Sequence, residues 1–288
     1  MTLNNNLSIW PWYRSLSEQH HRRQKADGVI YPLFIGNRQL HAFQFPVEKS
    51  GDQVTSFKLV NEKDASEIDL FSELNTGSSN GFQIIEYTQA EIEYDILMFA
   101  SNLLLASSIP NGQYYGVMTR GGITFYSEVI TICRDLSKLL KITYYHSEEI
   151  LHEEGHISYS SPYRNFVYLD PLYEDSSYEK EGKAIKKAGR ELEQEIISYK
   201  LHRFKFTLSE FLMDALRIVN HHDFIKIEYL GKTYTATSLK FDSSWNDYKD
   251  LLDVELEFRS GTIVRVVSKT SVPIGDFDQA DYNESFEI

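Results

Sequence analysis

The five residues HEEGH that begin at His152 have the spacing of the zinc-binding motif HExxH. In metallopeptidases this motif lies on a helix, which places both histidines on one face to bind zinc while the glutamate acts as general base. Here Gly155 interrupts the would-be helix, and a proline soon follows. These neighbours favour a polar loop. A zinc metallopeptidase built on His152, Glu153 and His156 is therefore a weaker alternative.

The other residues that could do chemistry are isolated. Adjacent histidines occur at His20-His21 and His221-His222, and neither pair is a natural chelate because adjacent side chains point in different directions. The single cysteine, Cys133, ends an apolar strand, where a buried core residue is favoured over a nucleophile. The sequence contains neither a glycine-rich phosphate loop nor a Gly-x-Ser-x-Gly elbow. We therefore expect no catalytic residue, metal or cofactor, and no enzymatic activity.

The composition is that of a globular protein that is acidic and rich in aromatic residues. Of the 288 residues, 42% are hydrophobic and 25% are charged, and the 19 Tyr and 17 Phe favour β structure. The net charge of −13 repels phosphate backbones and disfavours specific nucleic-acid binding. A single cysteine fits folding in a reducing cytosol. The sequence has no run approaching the roughly 18 apolar residues of a membrane helix, so no membrane partner is expected.

Short apolar segments separated by turn residues predict a mainly β chain with two domains. Residues 29–133 have the strand spacing of an immunoglobulin-like β-sandwich, which ends in a hairpin turning at Arg120-Gly121-Gly122. Residues 134–272 predict a second β-rich, α+β domain. Residues 1–28 are interpreted as an N-terminal arm, and residues 273–288 as an acidic C-terminal tail.

The second domain is predicted to contain one amphipathic helix, at residues 208–220. Thr207 and Glu210 have the spacing of a capping box, in which a hydroxyl and a carboxylate satisfy the first helical amides. Turn residues at Ser260-Gly261 predict the end of one strand and the start of another. The charged segment 180–200 fits either a helix or a strand.

The arm carries large aromatic and basic side chains. Trp10, Trp12 and Tyr13 surround a proline, and Arg22 and Arg23 belong to a basic cluster that follows. Exposed tryptophan is unfavourable, so these side chains either fold back on their own domain or dock on a neighbouring subunit. We take the five residues as candidate inter-subunit contacts.

Three segments resemble virion proteins of crAss-like and related bacteriophages. They are GQYYGVMTRGGITFYSEVITICRDLSKLLKITYY, FKFTLSEFLMDALRIVNHHDFIKIEYLGKTY and YPLFIGNRQLHAFQFP. In those proteins a similar G-x-Y-Y…YSE hairpin ends an immunoglobulin-like domain, and a K-I-x-Y strand opens the next. The resemblance covers roughly residues 29–268 and consists of scaffold motifs.

The resemblance implies a non-enzymatic structural protein of the phage neck or tail. Such connector or tail-barrel subunits form homo-oligomeric rings, often twelvefold, around the DNA channel and contact other tail and portal proteins. The implied location is the virion, assembled in the cytoplasm of the host bacterium, with DNA passing through the channel during ejection. An acidic surface suits a channel along which DNA must slide. The main alternative is a glycan- or receptor-binding module of the tail tip or baseplate.

Overall fold

Strands dominate the protein. The computed structural model describes residues 8–18, 33–74, 82–89, 92–99, 105–146, 150–152, 155–157, 164–187, 190–246 and 251–266. The strands of its first half are β1 (Trp12–Tyr13), β2 (Phe34–Gly36), β3 (Phe43–Glu48), β4 (Val54–Asn61), β5 (Glu67–Asp69), β6 (Phe82–Gln89), β7 (Ile92–Phe99), β8 (Gly112–Arg120), β9 (Ile123–Ser127) and β10 (Ile130–Cys133). A short helix, α1 (Phe71–Leu74), follows β5.

The second half continues in the same manner. Its strands are β11 (Leu140–Tyr145), β12 (Ile150–His152), β13 (Gly155–Ile157), β14 (Asn165–Leu169), β15 (Tyr173–Lys187), β16 (Arg190–Leu208), β17 (Phe224–Tyr229), β18 (Lys232–Ala236), β19 (Lys240–Trp245) and β20 (Leu252–Val266). Helix α2 (Glu210–Arg217) lies between β16 and β17. The expected mainly β fold with one amphipathic helix is confirmed.

The contacts within the chain define two units. The first unit comprises Met1–Glu174 and Arg203–Phe258, and the second comprises Asp175–His202 and Arg259–Ile288. All described residues of the second unit belong to β15, β16 and β20. This division differs from the predicted one at residue 133.

A sheet of eleven strands forms most of the first unit. Its strand order is β1-β9-β8-β10-β2-β14-β11-β17-β18, and β8 also pairs with β4, which pairs with β5. In its interior, β2 pairs parallel with β10, with Ile35 opposite Ile132. On its other side, β2 pairs antiparallel with β14, with Phe34 opposite Tyr168. Residues on both sides of the predicted boundary therefore share one sheet.

A three-stranded sheet, β3-β7-β6, contributes to the same aromatic core as the large sheet. The ring centroids of Phe45 and Phe125 are 5.3 Å apart, and those of Phe57 and Phe82 are 5.4 Å apart. Each pair joins a strand of the small sheet to a strand of the large one. Side chains alternate across a strand, so each sheet turns one face to this core.

The hairpin of β8 and β9 turns where the sequence predicts. Arg120 pairs with Ile123, which leaves Gly121 and Gly122 as a two-residue loop. Their φ angles are +55° and +78°, the left-handed values of a type I′ turn that only glycine adopts at little cost. This turn matches the twist of the flanking strands and sets their register.

Gly116 in β8 allows the close approach of Trp12. A Cβ atom placed on Gly116 would lie 2.5 Å from Cη2 of Trp12 and 3.2 Å from Oγ of Ser127. Gly116→Ala is therefore expected to lower the free energy of unfolding by about 2 kcal/mol through overpacking. Urea unfolding measures this loss, and adding Trp12→Phe should restore part of it. A Gly116→Ala protein as stable as the wild type would contradict the prediction.

Helix α2 corrects two details of the prediction. It spans Glu210–Arg217 rather than residues 208–220, and a 3-10 turn at Val219–His221 follows it. The N-cap residue is Ser209, so the capping-box prediction for Thr207 is wrong. Thr207 belongs to β16, and its hydroxyl lies 3.3 Å from Oδ1 of Asp253. The predicted apolar stripe does lie in the core, through Phe211, Leu212, Ala215 and Leu216.

The charged segment 180–200 is extended. It lies in β15 and β16, which pair with each other. The helical propensity of Lys and Glu is a weak preference that cross-strand contacts override. The turn predicted at Ser260-Gly261 is also wrong, because β20 continues through both residues. Gly261 has a φ of +59°, an irregularity that a strand accommodates at glycine.

Candidate functional site

Trp10 and Trp12 lie inside their own chain. Trp10 is 0% exposed, and its Nε1 donates a hydrogen bond to the backbone oxygen of Glu128 at 2.9 Å. Trp12 is 3% exposed and pairs through β1 with Ser127 of β9. The prediction that these two side chains contact a neighbouring subunit is therefore corrected. They fold back because a β-edge and an aromatic core are available within the chain.

The other predicted contact residues are placed differently. Tyr13 is half-buried and pairs with Tyr126 in the same β1–β9 ladder. Arg22 and Arg23 lie outside the described residues, as does the predicted acidic tail, 273–288. Their contact role stays a prediction.

The HExxH residues do not lie on a helix. His152 ends β12 and His156 lies in β13, and these two strands pair antiparallel with His152 opposite Gly155. A paired hairpin lacks the helical turn that brings both histidines to one face, so the geometric basis of the zinc motif is missing. Among the described residues, no group of three His, Cys, Asp or Glu side chains could hold a metal ion.

Burial keeps two histidines, His41 and His222, neutral. His41 lies 3.1 Å from the backbone oxygen of Phe34 through Nε2, and burial lowers its pKa to about 4. His222 donates from Nδ1 to the oxygen of Ile218 at 2.8 Å, and burial likewise lowers its pKa to about 4. Both donate to a backbone carbonyl as neutral rings. Both rings pack in the interior, and protonation of either ring at acidic pH destabilises the folded protein.

A second histidine lies near His222. His146 Nδ1 is 3.0 Å from Oδ2 of Asp223, and the ring centroids of His146 and His222 are 6.4 Å apart. The ring of Tyr144 packs edge-on against His222 at 4.7 Å. This cluster lies at the end of β11 and the turn before β17. It contains side chains that can act as general acids and bases. Their spacing in the sequence did not predict that they lie close together.

Arg120 and Asp95 form a buried ion pair between the eleven-stranded sheet and the three-stranded sheet. Arg120 Nη2 donates to Asp95 Oδ2, and both side chains are buried. Arg120 Nε also donates to the backbone oxygen of Asp52 at 2.9 Å, and Nη1 to that of Glu48 at 3.3 Å. The guanidinium thus ties β8 to the β3–β4 connection and to β7.

Asp95→Asn is expected to lower the free energy of unfolding by about 3 kcal/mol, because it leaves the Arg120 charge buried without its counter-ion. Urea unfolding measures the loss. The matched control is Glu48→Gln, which breaks the exposed pair that Arg14 and Glu48 form at 3.1 Å. We expect less than about 0.5 kcal/mol from the control. Equal losses in the two variants would contradict the prediction.

The second unit is a candidate interaction surface, which we call the ribbon. It comprises residues 175–187 of β15, 190–202 of β16 and 259–266 of β20. The thirteen residues of β15 in the ribbon span roughly 40 Å at the usual rise per residue. An isolated β-ribbon gains little from burial, so it is stable chiefly when something packs against it.

A polar ladder crosses the three strands of the ribbon. The Tyr199 hydroxyl lies 2.7 Å from Oε1 of Glu181 and 3.1 Å from Oε2 of Glu179. Arg259 Nη2 donates to Glu181 at 2.7 Å, and its guanidinium lies 4.1 Å from the Tyr199 ring centroid. The hydrogen bond to Glu181 raises the pKa of Tyr199 to about 12, so the hydroxyl keeps its proton. The ladder links β15, β16 and β20 through their side chains.

Large apolar side chains of the ribbon are exposed. Tyr178 in β15 is 85% exposed, and Ile263 and Val264 in β20 are 70% and 53% exposed. This surface was not predicted because segment 180–200 fitted either a helix or a strand, and because Ser260-Gly261 was interpreted as a turn between two strands. The strand predicted after Gly261 is present as the last part of β20, where the run TIVRV favours the extended backbone.

Comparison with models of known protein families gives no match, and comparison with curated protein sequences gives none either. Neither helix among the described residues has the length and apolar character to span a membrane.

Proposed function

We propose that the protein is a structural subunit of a bacteriophage virion, which assembles with copies of itself into a ring of the neck or tail. The observation that carries the proposal is the ribbon, with its exposed apolar side chains and internally paired charges. The resemblance of residues 29–268 to phage virion proteins supports the same assignment. The proposal also includes the location of the protein in the virion and its contacts with other tail and portal proteins.

The ribbon has the properties that subunit contact requires. Glu181 and Arg259 are already paired with each other in the ladder, and Lys183 Nζ lies 3.7 Å from Oε2 of Glu195, so these charges need no rearrangement on association. Tyr178, Ile263 and Val264 supply apolar surface. Ring subunits need this combination, because each copy must present one surface to the copy before it and another to the copy after it.

The net charge of −13 fits the proposed channel. A negative surface repels the phosphate backbone of DNA and favours sliding over binding. The proposal therefore includes DNA passing through the ring without sequence-specific contacts, and twelve copies as the ring size that the resemblance implies.

The solution mass of the full chain, combined with negative-stain images, tests the proposal. We expect closed rings with a fixed number of copies, present at micromolar protein concentration. A chain that stays monomeric at several hundred micromolar would contradict self-assembly into rings. Open filaments would contradict the closed form and would indicate a tail-tube-like role instead.

A second candidate function is glycan binding, and one observation favours it. The rings of Tyr145 and Phe224 stack with centroids 4.5 Å apart and planes 12° apart. The guanidinium of Arg164 lies 4.8 Å from the Tyr145 ring, while Phe224 is half exposed. An exposed aromatic face of this kind can stack against a sugar ring.

Titration of the full chain with host-surface polysaccharide separates this candidate from the ring subunit. If glycan binding is the function, Phe224→Ala should weaken binding at least tenfold. Trp245→Ala, at a comparably exposed aromatic of β19, should leave binding unchanged. Absence of binding by the wild type would exclude the glycan candidate and leave the ring proposal in place.

A further inference from the structure

The ribbon ends in two different edges. In the order β15-β16-β20-β19, strand β15 is the outermost strand on one side. On the other side, β19 pairs with β20 only over Leu252–Glu257. The last part of β20, Arg259–Val266, therefore extends past its pairing with β19. Among the described residues, no further strand joins the sheet beyond either edge.

Both edges have residues that suit strand pairing. The β20 edge contains Thr262, Ile263 and Val264, whose β-branched side chains favour the extended backbone, and Ile263 and Val264 are exposed. The β15 edge contains the exposed Tyr178. Neither edge contains proline, which natural proteins use to block the addition of a strand.

The first half of the β15 edge and the β20 edge carry opposite charges. Residues 175–181 of β15 include three acidic side chains and one lysine, whereas residues 182–187 include three lysines and no acidic side chain. Residues 259–266 of β20 include two arginines and no acidic side chain. Like charges opposite each other on paired strands are destabilising, and opposite charges are stabilising. Residues 175–181 of one copy therefore pair more favourably with residues 259–266 of a second copy than with the second copy's residues 175–181.

We propose that β15 of one copy pairs edge to edge with residues 259–266 of β20 of a second copy. The ribbons of successive copies then form a continued sheet, and each copy uses a different edge toward each neighbour. Contacts of this head-to-tail kind close into a ring when the rotation between copies allows it. The inference rests on the proposed ring assembly and names the surfaces that make it.

Cysteine cross-linking between copies tests the pairing directly. In a Cys133→Ser background, Ser176→Cys, Lys180→Cys and Lys183→Cys each place a thiol on β15. Thr262→Cys and Val264→Cys each place one on the end of β20. Each β15 variant is mixed with each β20 variant, unfolded and refolded together, and oxidised. Cross-strand neighbours have Cβ atoms about 5 Å apart, so an adjacent pair of thiols forms a disulfide.

The expected result is a cross-linked dimer in at least one mixture and in none of the five variants oxidised alone. Cross-links formed by a single variant alone would overturn head-to-tail pairing, since they require two identical edges to meet. Rings that form without any cross-link would overturn the edge pairing and leave the proposed function intact. Monomers in every sample would overturn both.

A charge substitution gives an independent readout. Ile263→Glu combined with Val264→Glu places acidic charge on the β20 edge, opposite the acidic part of β15. We expect the protein concentration needed for half-assembly to rise at least tenfold. Leu230→Glu is the matched control, because Leu230 is similarly exposed, at the turn between β17 and β18. Equal assembly by the double variant and the control, with native circular dichroism for both, would overturn the proposal.

Discussion

Trp10→Ala is expected to lower the free energy of unfolding by about 4 kcal/mol, a large part of the stability of an ordinary domain. The indole is fully buried, and its ring centroid lies 5.2 Å from that of Trp12 and 5.8 Å from that of Phe43. Its removal leaves a large cavity. It also removes the hydrogen bond that the indole donates to the Glu128 carbonyl.

Urea unfolding followed by circular dichroism measures this loss. Leu172→Ala is the control, because Leu172 is mostly exposed and its truncation should cost less than about 0.5 kcal/mol. A Trp10→Ala protein with wild-type stability would show that the N-terminal segment does not belong to the core. For the same reason, a chain that lacks residues 1–28 should be destabilised, because it loses the buried Trp10 and Trp12.

Lowering the pH from 7 to 4 is expected to cost about 6 kcal/mol of stability through two histidines. His41 and His222 have pKa values of about 4 in the folded protein, whereas an unfolded histidine titrates near 6.5. Between these values the unfolded state binds the protons and the folded state does not. The free energy of unfolding therefore falls with falling pH, by about 3 kcal/mol for each histidine, and this contribution vanishes above pH 7.

Urea unfolding at several pH values between 7 and 4 tests this. His41→Gln and His222→Asn keep a donor near Nε2 and Nδ1 respectively but do not titrate, so each should remove about half of the histidine-dependent loss. His221→Gln is the control, because His221 is exposed. Identical pH dependence in the wild type and in a protein carrying both substitutions would contradict the prediction. Carboxylate titration is common to all these variants and cancels in the comparison.

Local sequence patterns predicted strands correctly where the turn residues and the alternation of apolar and polar side chains indicated the same element. The β8–β9 hairpin turns at Gly121-Gly122 as predicted. Its turn residues and its alternating side chains lie close together in sequence. The information needed to form the element is therefore present within about twenty residues, which is what sequence reasoning can use.

Features that depend on distant residues were not predicted. The sequence around Trp10 is the same whether the side chain enters the core of its own chain or that of a neighbouring subunit. It lies in its own core because Phe43 and Phe57 pack against it there. The ribbon was missed for a related reason, since segment 180–200 has a composition that suits a helix. Its extended form comes from contacts such as that of Tyr199 with Glu181, across two strands.

The position of β2 within the large sheet has a consequence for synthesis. Phe34 pairs with Tyr168, about 130 residues later in the chain, and Ile35 pairs with Ile132. A ribosome adding 5–20 residues per second leaves β2 without its second partner for roughly ten seconds. The apolar residues around β2 must therefore remain protected during that time, by a chaperone or by transient collapse. Contacts of such long range also make slow folding the expectation for the isolated chain.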